Sequence, residues 1–383
     1  MAEIQFSTRL LKHPESQAEG DNSPFKLVVV GAFSGHAKDT PLAKRKLRRI
    51  TKDTFDEVFN SLEVELTLTA LGSQVSFEDI DDLTPEHLYR NIGIFQEYKA
   101  LKKALLKPGA IDSTIAKLNA LGIGFETKDS EAKEAAQLDD APVTFASDLF
   151  DTLLSQPTEQ TRAGFDVDAL IRDTVAPFVQ KHDPRAQDYL TALERAESQL
   201  LRAILQQSQF QSLEASWLAL ERFNRTVDTD RSCHLYMLDV DSDELLTLAD
   251  ADIETSALFT KLISDQQIAG NPPFDAILLD SGIKQTESLN TLLNTWQSFS
   301  QKSQTPVITC VNYAFAQTLV DEACPLDLQA SKLSVVAPSF MMRVPYGSQT
   351  RPCEMFDFEE VELTNTDQPN LKHYVWGNSG YLW

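Results

Sequence analysis

The stretch Phe210-Gln-Ser-Leu-Glu-Ala-Ser-Trp-Leu-Ala-Leu220 is the most informative part of this chain. Its large apolar side chains recur at spacings of three and four, which predicts one buried face of a helix. Two later clusters, Arg343-Val-Pro-Tyr-Gly347 and Trp376-Gly-Asn378, also join aromatic residues to turn-forming ones. Such residues suit packing and a fixed backbone turn, and none of the three stretches is a catalytic constellation. Together they indicate packing and fixed backbone turns.

Length and composition limit the classes of protein that the chain can belong to. Its 383 residues predict two or three domains, and a hydrophobic content of 42% allows sizeable cores. The 57 acidic and 34 basic residues give a formal charge of −23. This charge argues against a nucleic-acid binder, which needs a basic surface. It favours solubility, or a surface that pairs with basic patches on a partner.

The cysteines and the hydropathy pattern bear on location. Cys233, Cys310, Cys324 and Cys353 show neither C-x-x-C spacing nor a histidine at zinc-ligand distance. The first twenty residues have no apolar core of signal-peptide length, and no apolar run reaches the length of a membrane span. We therefore expect a reduced, cytoplasmic protein without membrane insertion, metal or cofactor.

The N-terminal third alternates strands and helices. A polar tail, 1–23, precedes the buried strand 25–30 and the loop from Gly31 to Thr40. A helix capped by Asp53 or Thr54 should bury Phe55, Val58 and Phe59, and strands should follow at 64–68 and 75–77. One helix is expected to start after Thr84 and to run to Pro108-Gly109, and a shorter one to end near Gly122.

The remaining residues change character twice. Residues 126–162 are polar and broken by prolines, which is typical of a linker, except for a short amphipathic stretch at 148–154. Helical periodicity occupies 166–222. From 233 onward the pattern becomes strand, helix, strand, with strands expected at 233–240, 274–279 and 306–311 and helices at 244–248, 256–264 and 286–300. This order predicts crossovers onto parallel strands.

Three segments invite a chemical interpretation. Gly31-Ala-Phe-Ser-Gly35 follows a strand, but it lacks the Lys-Ser/Thr of a P-loop and the third glycine of a dinucleotide loop, so it favours a structural turn over a phosphate site. The acidic run 239–244 lacks the glycine of a calcium loop, and Ser242 or Asp243 is better explained as a helix cap. The six histidines are scattered without ligand spacing. The basic run 44–49 is either a solvated loop or a contact with an acidic neighbour in an assembly.

The N-terminal third resembles the small subunit of the contractile sheath of bacterial type VI secretion systems. The resemblance rests on four motifs in order, Gly31-Ala-Phe-Ser-Gly35, the Pro41-Leu42 and basic segment, Asp53-Thr-Phe-Asp-Glu-Val58, and the stretch from Phe77 through Pro85 to Leu88. Each motif is weak alone, but four in sequence are fairly specific.

The remainder, from about 165, resembles the large subunit of the same sheath. The stretch 210–220 matches a family motif except at Leu218-Ala219, where the family has Arg-Gly. Further matches are Ser256-Ala-Leu-Phe-Thr-Lys261, Arg343 to Gly347, Phe356-Asp-Phe-Glu-Glu360 and Tyr374-Val-Trp-Gly-Asn378. Two departures stand out. The subunits are normally separate chains, whereas here they look fused. The large one normally continues past its Trp-Gly-Asn motif with a further domain, which we expect to be absent here because the sequence stops at Trp383.

The resemblance implies an α/β fold with a mixed-sheet core built from both halves of the chain and a helical segment between them. The expected domains are a tail at 1–23, a small-subunit-like domain at 24–120, a linker at 121–164 and a large-subunit-like domain at 165–383, helical over 165–222 and α/β over 232–383. Packing or assembly is then the expected role of the residues in the shared motifs: Phe210, Leu213, Glu214, Trp217, Arg343, Pro345, Tyr346, Gly347, Trp376 and Asn378.

The function implied is that of a non-enzymatic sheath protomer that polymerises by strand exchange around an inner tube in the bacterial cytoplasm. Its partners would be itself or other sheath subunits, the inner-tube protein, the baseplate and a recycling AAA+ ATPase. The recognition helix for that ATPase would correspond to Leu149, Phe150, Leu153 and Leu154. A sheath-derived adaptor that does not polymerise, and a nucleotide-binding enzyme that uses the Gly31–Gly35 loop, are the alternatives.

Overall fold

A computed structural model describes residues 23–36, 38–107, 109–123, 183–247, 252–280, 286–311, 332–361 and 374–382. The chain divides into two compact units, one formed by 1–92 with 198–383 and the other by 93–197. The expected tail and the expected linker with its amphipathic stretch fall almost wholly outside the described residues, as does the first part of the predicted helical region. In the described residues, no helix has the length and apolar character needed to cross a membrane.

The regular elements follow the predicted order. The strands are β1 (Phe25–Gly31), β2 (Arg48–Ile50), β3 (Val64–Leu68), β4 (Ser73–Phe77), β5 (Cys233–Asp239), β6 (Ala276–Asp280), β7 (Val307–Cys310), β8 (Leu333–Val336), β9 (Phe340–Met341) and β10 (Trp376–Gly377). The α-helices longer than five residues are α1 (Phe55–Ser61), α2 (Pro85–Asn91), α3 (Gly93–Leu105), α4 (Ile111–Ala120), α5 (Pro184–Leu205), α6 (Ser208–Thr226), α7 (Ser242–Thr247) and α8 (Thr286–Ser303).

The central sheet of the larger unit takes strands from both ends of the chain. Its order is β2-β5-β1-β6-β7-β8, with β2 antiparallel to β5 and the other pairs parallel. Strand β1 lies between β5 and β6, and its residues 26–31 are buried. A parallel strand in mid-sheet is covered on both faces, which explains why β1 is a continuous apolar run and not an alternating one. The expected mixed sheet shared by both halves is thereby confirmed.

Helices and a hairpin complete this unit. Strands β3 and β4 form an antiparallel hairpin, and α1 buries Phe55, Val58 and Phe59 after Thr54 as its cap residue, as predicted. On α8, Trp296 and Phe299 are buried and belong to the hydrophobic core. The helix predicted at 256–264 is longer and less regular than expected. It winds through an α-helical turn (Ala257–Phe259), a π-helical turn (Thr260–Ser264) and a second α-helical turn (Asp265–Ile268).

The long helix predicted between Thr84 and Pro108 is interrupted, so this prediction was wrong in its extent. Helix α2 ends at Asn91, Ile92 adopts an extended backbone with ψ of 123°, and α3 begins at Gly93. Ile92 is buried. Burial of this side chain, together with the weak helix propensity of the adjacent glycine, outweighs continuation of the helix. Helical spacing alone could not reveal the break, because both segments keep apolar residues in phase.

The smaller unit is helical in its described residues. Leu105 on α3, Leu118 on α4 and Leu193 on α5 form its buried apolar centre. Lys102 pairs with Glu197 across 2.5 Å. Burial and the nearby carboxylates of Glu197 and Glu97 raise the pKa of Tyr98.

Candidate functional site

The Gly31–Gly35 loop is held by a carboxylate of the chain itself. Asp239, at the end of β5, accepts hydrogen bonds from the backbone N–H groups of Phe33 (2.8 Å) and Ser34 (3.1 Å). A phosphate bound at this loop would need the same donors. The N–H groups that a phosphate would bind are therefore already bonded to Asp239. This supports the interpretation of the segment as a structural turn and not as a phosphate site.

Gly35 occupies a position that only glycine fits. Its φ is +78°, and an added Cβ would lie 2.5 Å from the carbonyl oxygen of Glu65. We expect Gly35→Ala to destabilise the protein by about 1–3 kcal/mol more than Gly72→Ala. Gly72 is the matched control, because its φ is +61° but no atom lies within 4 Å of the added Cβ. Urea unfolding of the two variants measures the difference, and equal losses would show that the close approach to Glu65 has no energetic weight.

Trp217 on α6 joins the two halves of the chain. Its ring is fully buried, and its Nε1 donates to the carbonyl oxygen of Phe33 at 2.9 Å. The rings of Phe33, Phe55 and Phe59 surround it at centroid distances of 5.5, 5.7 and 4.5 Å. Edge-on and tilted geometries of this kind favour aromatic pairs beyond the area that they bury. The predicted stripe of α6 thus packs on residues of the N-terminal third.

Two other residues of this stripe also pack on the N-terminal third. Phe210 is fully buried and meets the ring of Phe77 on β4 at 6.2 Å. Leu213 is buried as well, and its Cδ2 would be 3.4 Å from a Cβ at Gly35. The helix therefore contacts both the hairpin and the loop that follows β1.

Glu214, on the same helix, is one of three charged residues in a buried ion-pair cluster. Arg343 donates through Nε and Nη2 to Glu214, and through Nη1 (2.7 Å) and Nη2 (3.1 Å) to Glu360. At most 5% of any of the three side chains is exposed. Two carboxylates therefore bind the guanidinium, and the carbonyl contact described for it, to Val344, is long at 3.3 Å.

The segment around Tyr346 closes this cluster. The guanidinium of Arg343 lies 4.4 Å from the Tyr346 ring centroid, and that of Arg351 lies 4.8 Å from it. The backbone N–H of Tyr346 donates to Glu360, and Thr350 Oγ1 donates to the carbonyl oxygen of Pro345 at 2.6 Å. These bonds fix the turn that the Arg-Val-Pro-Tyr-Gly motif predicted. At Gly347, an added Cβ would collide with the Glu359 carboxylate.

Electrostatics in the cluster follow from burial and pairing. Burial raises the pKa of Glu214 above its usual value, and Arg343 opposes that shift. Burial alone would lower the pKa of Arg343, but Glu214 and Glu360 more than offset it, so the arginine stays charged. Burial and then Glu214 raise the pKa of the Tyr346 phenol. Arg343 is the one cation of this three-residue cluster, so its loss would leave two buried carboxyl groups without their partner.

The Trp376–Asn378 motif contains one exposed and one anchored residue. Trp376 pairs with Met341 in the β9–β10 ribbon, and 41% of its surface is accessible. Asn378 donates from Nδ2 to the carbonyl oxygen of Leu279 at 2.6 Å and accepts from the N–H of Gly380 at 2.8 Å. Asn378 thus fastens the segment that follows β10 to strand β6.

The basic run 44–49 is not uniformly solvated. Arg45 is buried and binds both carboxylate oxygens of Glu244 at 2.6 Å, as well as the carbonyl oxygen of Asp239 at 3.0 Å. The solvated-loop interpretation is therefore wrong for Arg45.

Two carboxylates of the acidic run 239–244 are engaged within the chain, and the helix that follows begins at Ser242. In the described residues, no group of three or more histidine, cysteine or acidic side chains could hold a metal ion.

Sequence reasoning missed the partners at this site. Glu360 lay inside a quoted motif but was not singled out, and its pairing with Arg343 has no local signal. Asp239 and Asp280 were also missed, although each ends an apolar strand, where a buried carboxylate at the sheet edge could have been expected. The proposed ATPase-recognition residues Leu149, Phe150, Leu153 and Leu154 lie outside the described residues, so their role stays a prediction.

Comparison with known proteins matches two families to this chain. The family described as "EvpB/VC_A0108, tail sheath N-terminal domain" matches residues 187–321 and 328–383, and the family described as "Type VI secretion system, VipA, VC_A0107 or Hcp2" matches residues 10–108. A type VI secretion system sheath protein, TssC1 of Pseudomonas aeruginosa, is 24% identical over 223 residues. The matched region covers 50% of this chain and 43% of that relative, so the chain spans less than half of the relative's length.

Proposed function

Since this chain belongs to the sheath proteins of type VI secretion systems, we propose that it is a structural protomer of a contractile sheath. One observation carries the proposal. Strand β1, from the region matched by the small-subunit family, lies between β5 and β6, from the region matched by the large-subunit family. Two sheath subunits that share one sheet form a single folding unit, which suits a building block of a polymer.

The proposed mode of assembly is strand exchange between copies around an inner tube. In the described residues, β8 pairs with β7 on one side only, which makes it an edge strand of the central sheet. An edge strand presents unpaired N–H and C=O groups that a strand of another chain can join. A contact that repeats without closing produces a helical filament. Contraction is then a switch between two packings of the same protomers.

Membership of the family supports a set of proposed partners. They are further sheath subunits, the inner-tube protein, the baseplate and a recycling AAA+ ATPase, and the proposed place of assembly is the bacterial cytoplasm. We assign the protein no catalytic activity. Every buried charged group described at the site is engaged with another group of the same chain, which supports a role in packing.

The test is electron microscopy of the purified full chain, alone and together with the other sheath proteins of its organism. We expect tubules in at least one of these samples. Fluorescent tagging in cells should show a long rod that shortens. Particles that stay monomeric in every mixture, or a single focus for each apparatus, would contradict the sheath role and favour an adaptor.

A variant at the edge strand sharpens this test. The carbonyl groups of Lys332 and Val336 accept from β7, so the backbone groups of Val335 point away from that strand. We expect Val335→Pro to abolish tubules without unfolding the protein, because proline removes the outward N–H group. Val335→Thr is the control, since it keeps this donor and a β-branched shape. Undiminished tubules from the proline variant would exclude β8 as the assembling edge.

A further inference from the structure

The carboxyl edge of the central sheet has the layout of a ligand site. If the parallel strands are numbered in chain order, they lie in the order second, first, third, fourth, fifth. Sheets of this order bind ligands where the direction of winding changes, here at the carboxyl ends of β1 and β6. Those ends are Gly31 and Asp280, and an added Cβ at Gly31 would lie 2.6 Å from the carbonyl oxygen of Asp280.

A turn of the chain itself lies at the carboxyl end of β6. Residues Ser379–Leu382 form a 3-10 turn, and the hydroxyl of Tyr381 donates to Asp280 Oδ2 at 2.9 Å. The Tyr381 ring is buried and lies 6.4 Å from the ring of Phe223. Gly380 rests against the side chains of Leu278 and Ile308, and an added Cβ would collide with Leu278. The turn is thus closely fitted to strands β6 and β7.

Asp280 has an unusual environment for a carboxyl group. Its side chain is buried, and its hydrogen-bonding partners are the neutral groups of Tyr381, Ser216 and Asn378. Within the described residues, no lysine or arginine accounts for its charge. The neighbouring carboxylate, Asp239, accepts from the N–H groups of the loop after β1. Burial raises the pKa of Asp280, and burial followed by Asp280 raises the pKa of the Tyr381 phenol.

We propose that residues 378–382 form a proton-dependent latch, in which Asp280 is protonated while the turn is docked and ionises when the turn leaves. A buried carboxylate without a cation is strongly disfavoured. The hydrogen bonds from Tyr381, Ser216 and Asn378 favour the ionised form, but burial outweighs them. Release of the turn exposes the carboxyl group, and the proton passes to solvent. The device goes beyond the proposed sheath function and does not depend on it.

The sign of the pH dependence follows from this arrangement. A carboxyl group whose pKa is raised on docking holds its proton in the docked state and loses it on release. Docking is therefore most favourable below the pKa of the exposed group, about 4, and weakens as pH rises towards the docked pKa. Between these two values the opening constant should rise about tenfold for each pH unit. Above the docked pKa it should become constant.

Hydrogen–deuterium exchange of the full chain, followed by mass spectrometry from about pH 5.5 to about pH 9, measures this opening. After correction for the intrinsic exchange rate, wild-type peptides over 374–382 should lose protection as pH rises, whereas peptides of β1 should not. Asp280→Asn removes the titrating group, so the protection of these peptides should not change with pH in this variant. Tyr381→Phe keeps the Asp280 carboxyl group but loses the hydrogen bond from the phenol. In this variant the turn should open more at every pH, and its opening should depend on pH as steeply as in the wild type.

Either of two results would overturn the latch. One is a wild-type profile without pH dependence, which requires no variant and so remains decisive if Asp280→Asn fails to fold. The other is a slope that persists in Asp280→Asn, because another group would then control the opening. Neither result depends on whether the protein forms tubules, so failure of the latch is distinguishable from failure of the sheath proposal.

Discussion

Replacement of Arg343 by methionine is expected to lower the free energy of unfolding by about 3–5 kcal/mol. The change removes the only cation of the buried cluster and leaves Glu214 and Glu360 without their partner. Both carboxylates then repel each other in a site from which water is excluded, and ionised groups in such a site are strongly disfavoured. Because methionine fills a similar volume, the loss of unfolding free energy measures the effect of the missing charge and not that of a cavity. Urea unfolding followed by circular dichroism measures it.

The control for Arg343→Met is Arg351→Met. Both guanidinium groups lie near the Tyr346 ring, but Arg351 is exposed, and its loss should cost less than about 1 kcal/mol. Addition of Glu214→Gln and Glu360→Gln to Arg343→Met should recover much of the stability, since neutral amides need no cation. Equal losses at Arg343 and Arg351, or no recovery in the triple variant, would show that charge does not dominate the site.

The loss of unfolding free energy in Arg343→Met should also depend on pH. Burial raises the pKa of Glu214 and Arg343 opposes that rise, so removal of the arginine leaves the effect of burial unopposed. Stability contributed by a carboxyl group with a raised pKa is fully present below the unfolded pKa and is lost as pH rises through the folded pKa. The difference from wild type should therefore be smaller in mildly acidic buffer than at neutral pH, which the same unfolding measurement can check.

Trp217→Ala is expected to have an effect of similar size, about 3–5 kcal/mol. The substitution leaves a cavity among Phe33, Phe55 and Phe59 and removes the donor for the buried Phe33 carbonyl oxygen. Since the three phenylalanines belong to the N-terminal third, the two halves of the chain lose their main aromatic contact. Urea unfolding at a fixed protein concentration measures the loss.

Two further variants separate the contributions at Trp217. Trp217→Phe keeps most of the apolar volume and should cost about 1–3 kcal/mol, largely from the unsatisfied carbonyl group. Trp376→Ala is the control, because Trp376 is 41% exposed and a surface truncation should cost about 1 kcal/mol or less. A loss at Trp217 no larger than that at Trp376 would disprove the central role of the buried ring.

Much of the fold could be predicted from short-range patterns. The apolar run of β1, the stripe of α6 and the strand–helix alternation after residue 233 are local features, because side-chain burial repeats with the period of the element itself. The order of the motifs also indicated the family and the sheet shared by both halves. The interruption at Ile92 escaped prediction, since a break that preserves the apolar phase leaves no mark in the periodicity.

The sequence by itself determined the elements, their order and which faces are apolar, because these depend on neighbours within a few residues. Only the tertiary structure decided that Arg343 binds Glu214 and Glu360, that Asp239 fills the Gly31–Gly35 loop and that Tyr381 reaches Asp280. The partners in these contacts are mostly separated by about a hundred residues or more. No local period encodes such pairs, because the packing of the whole sheet and its helices brings them together.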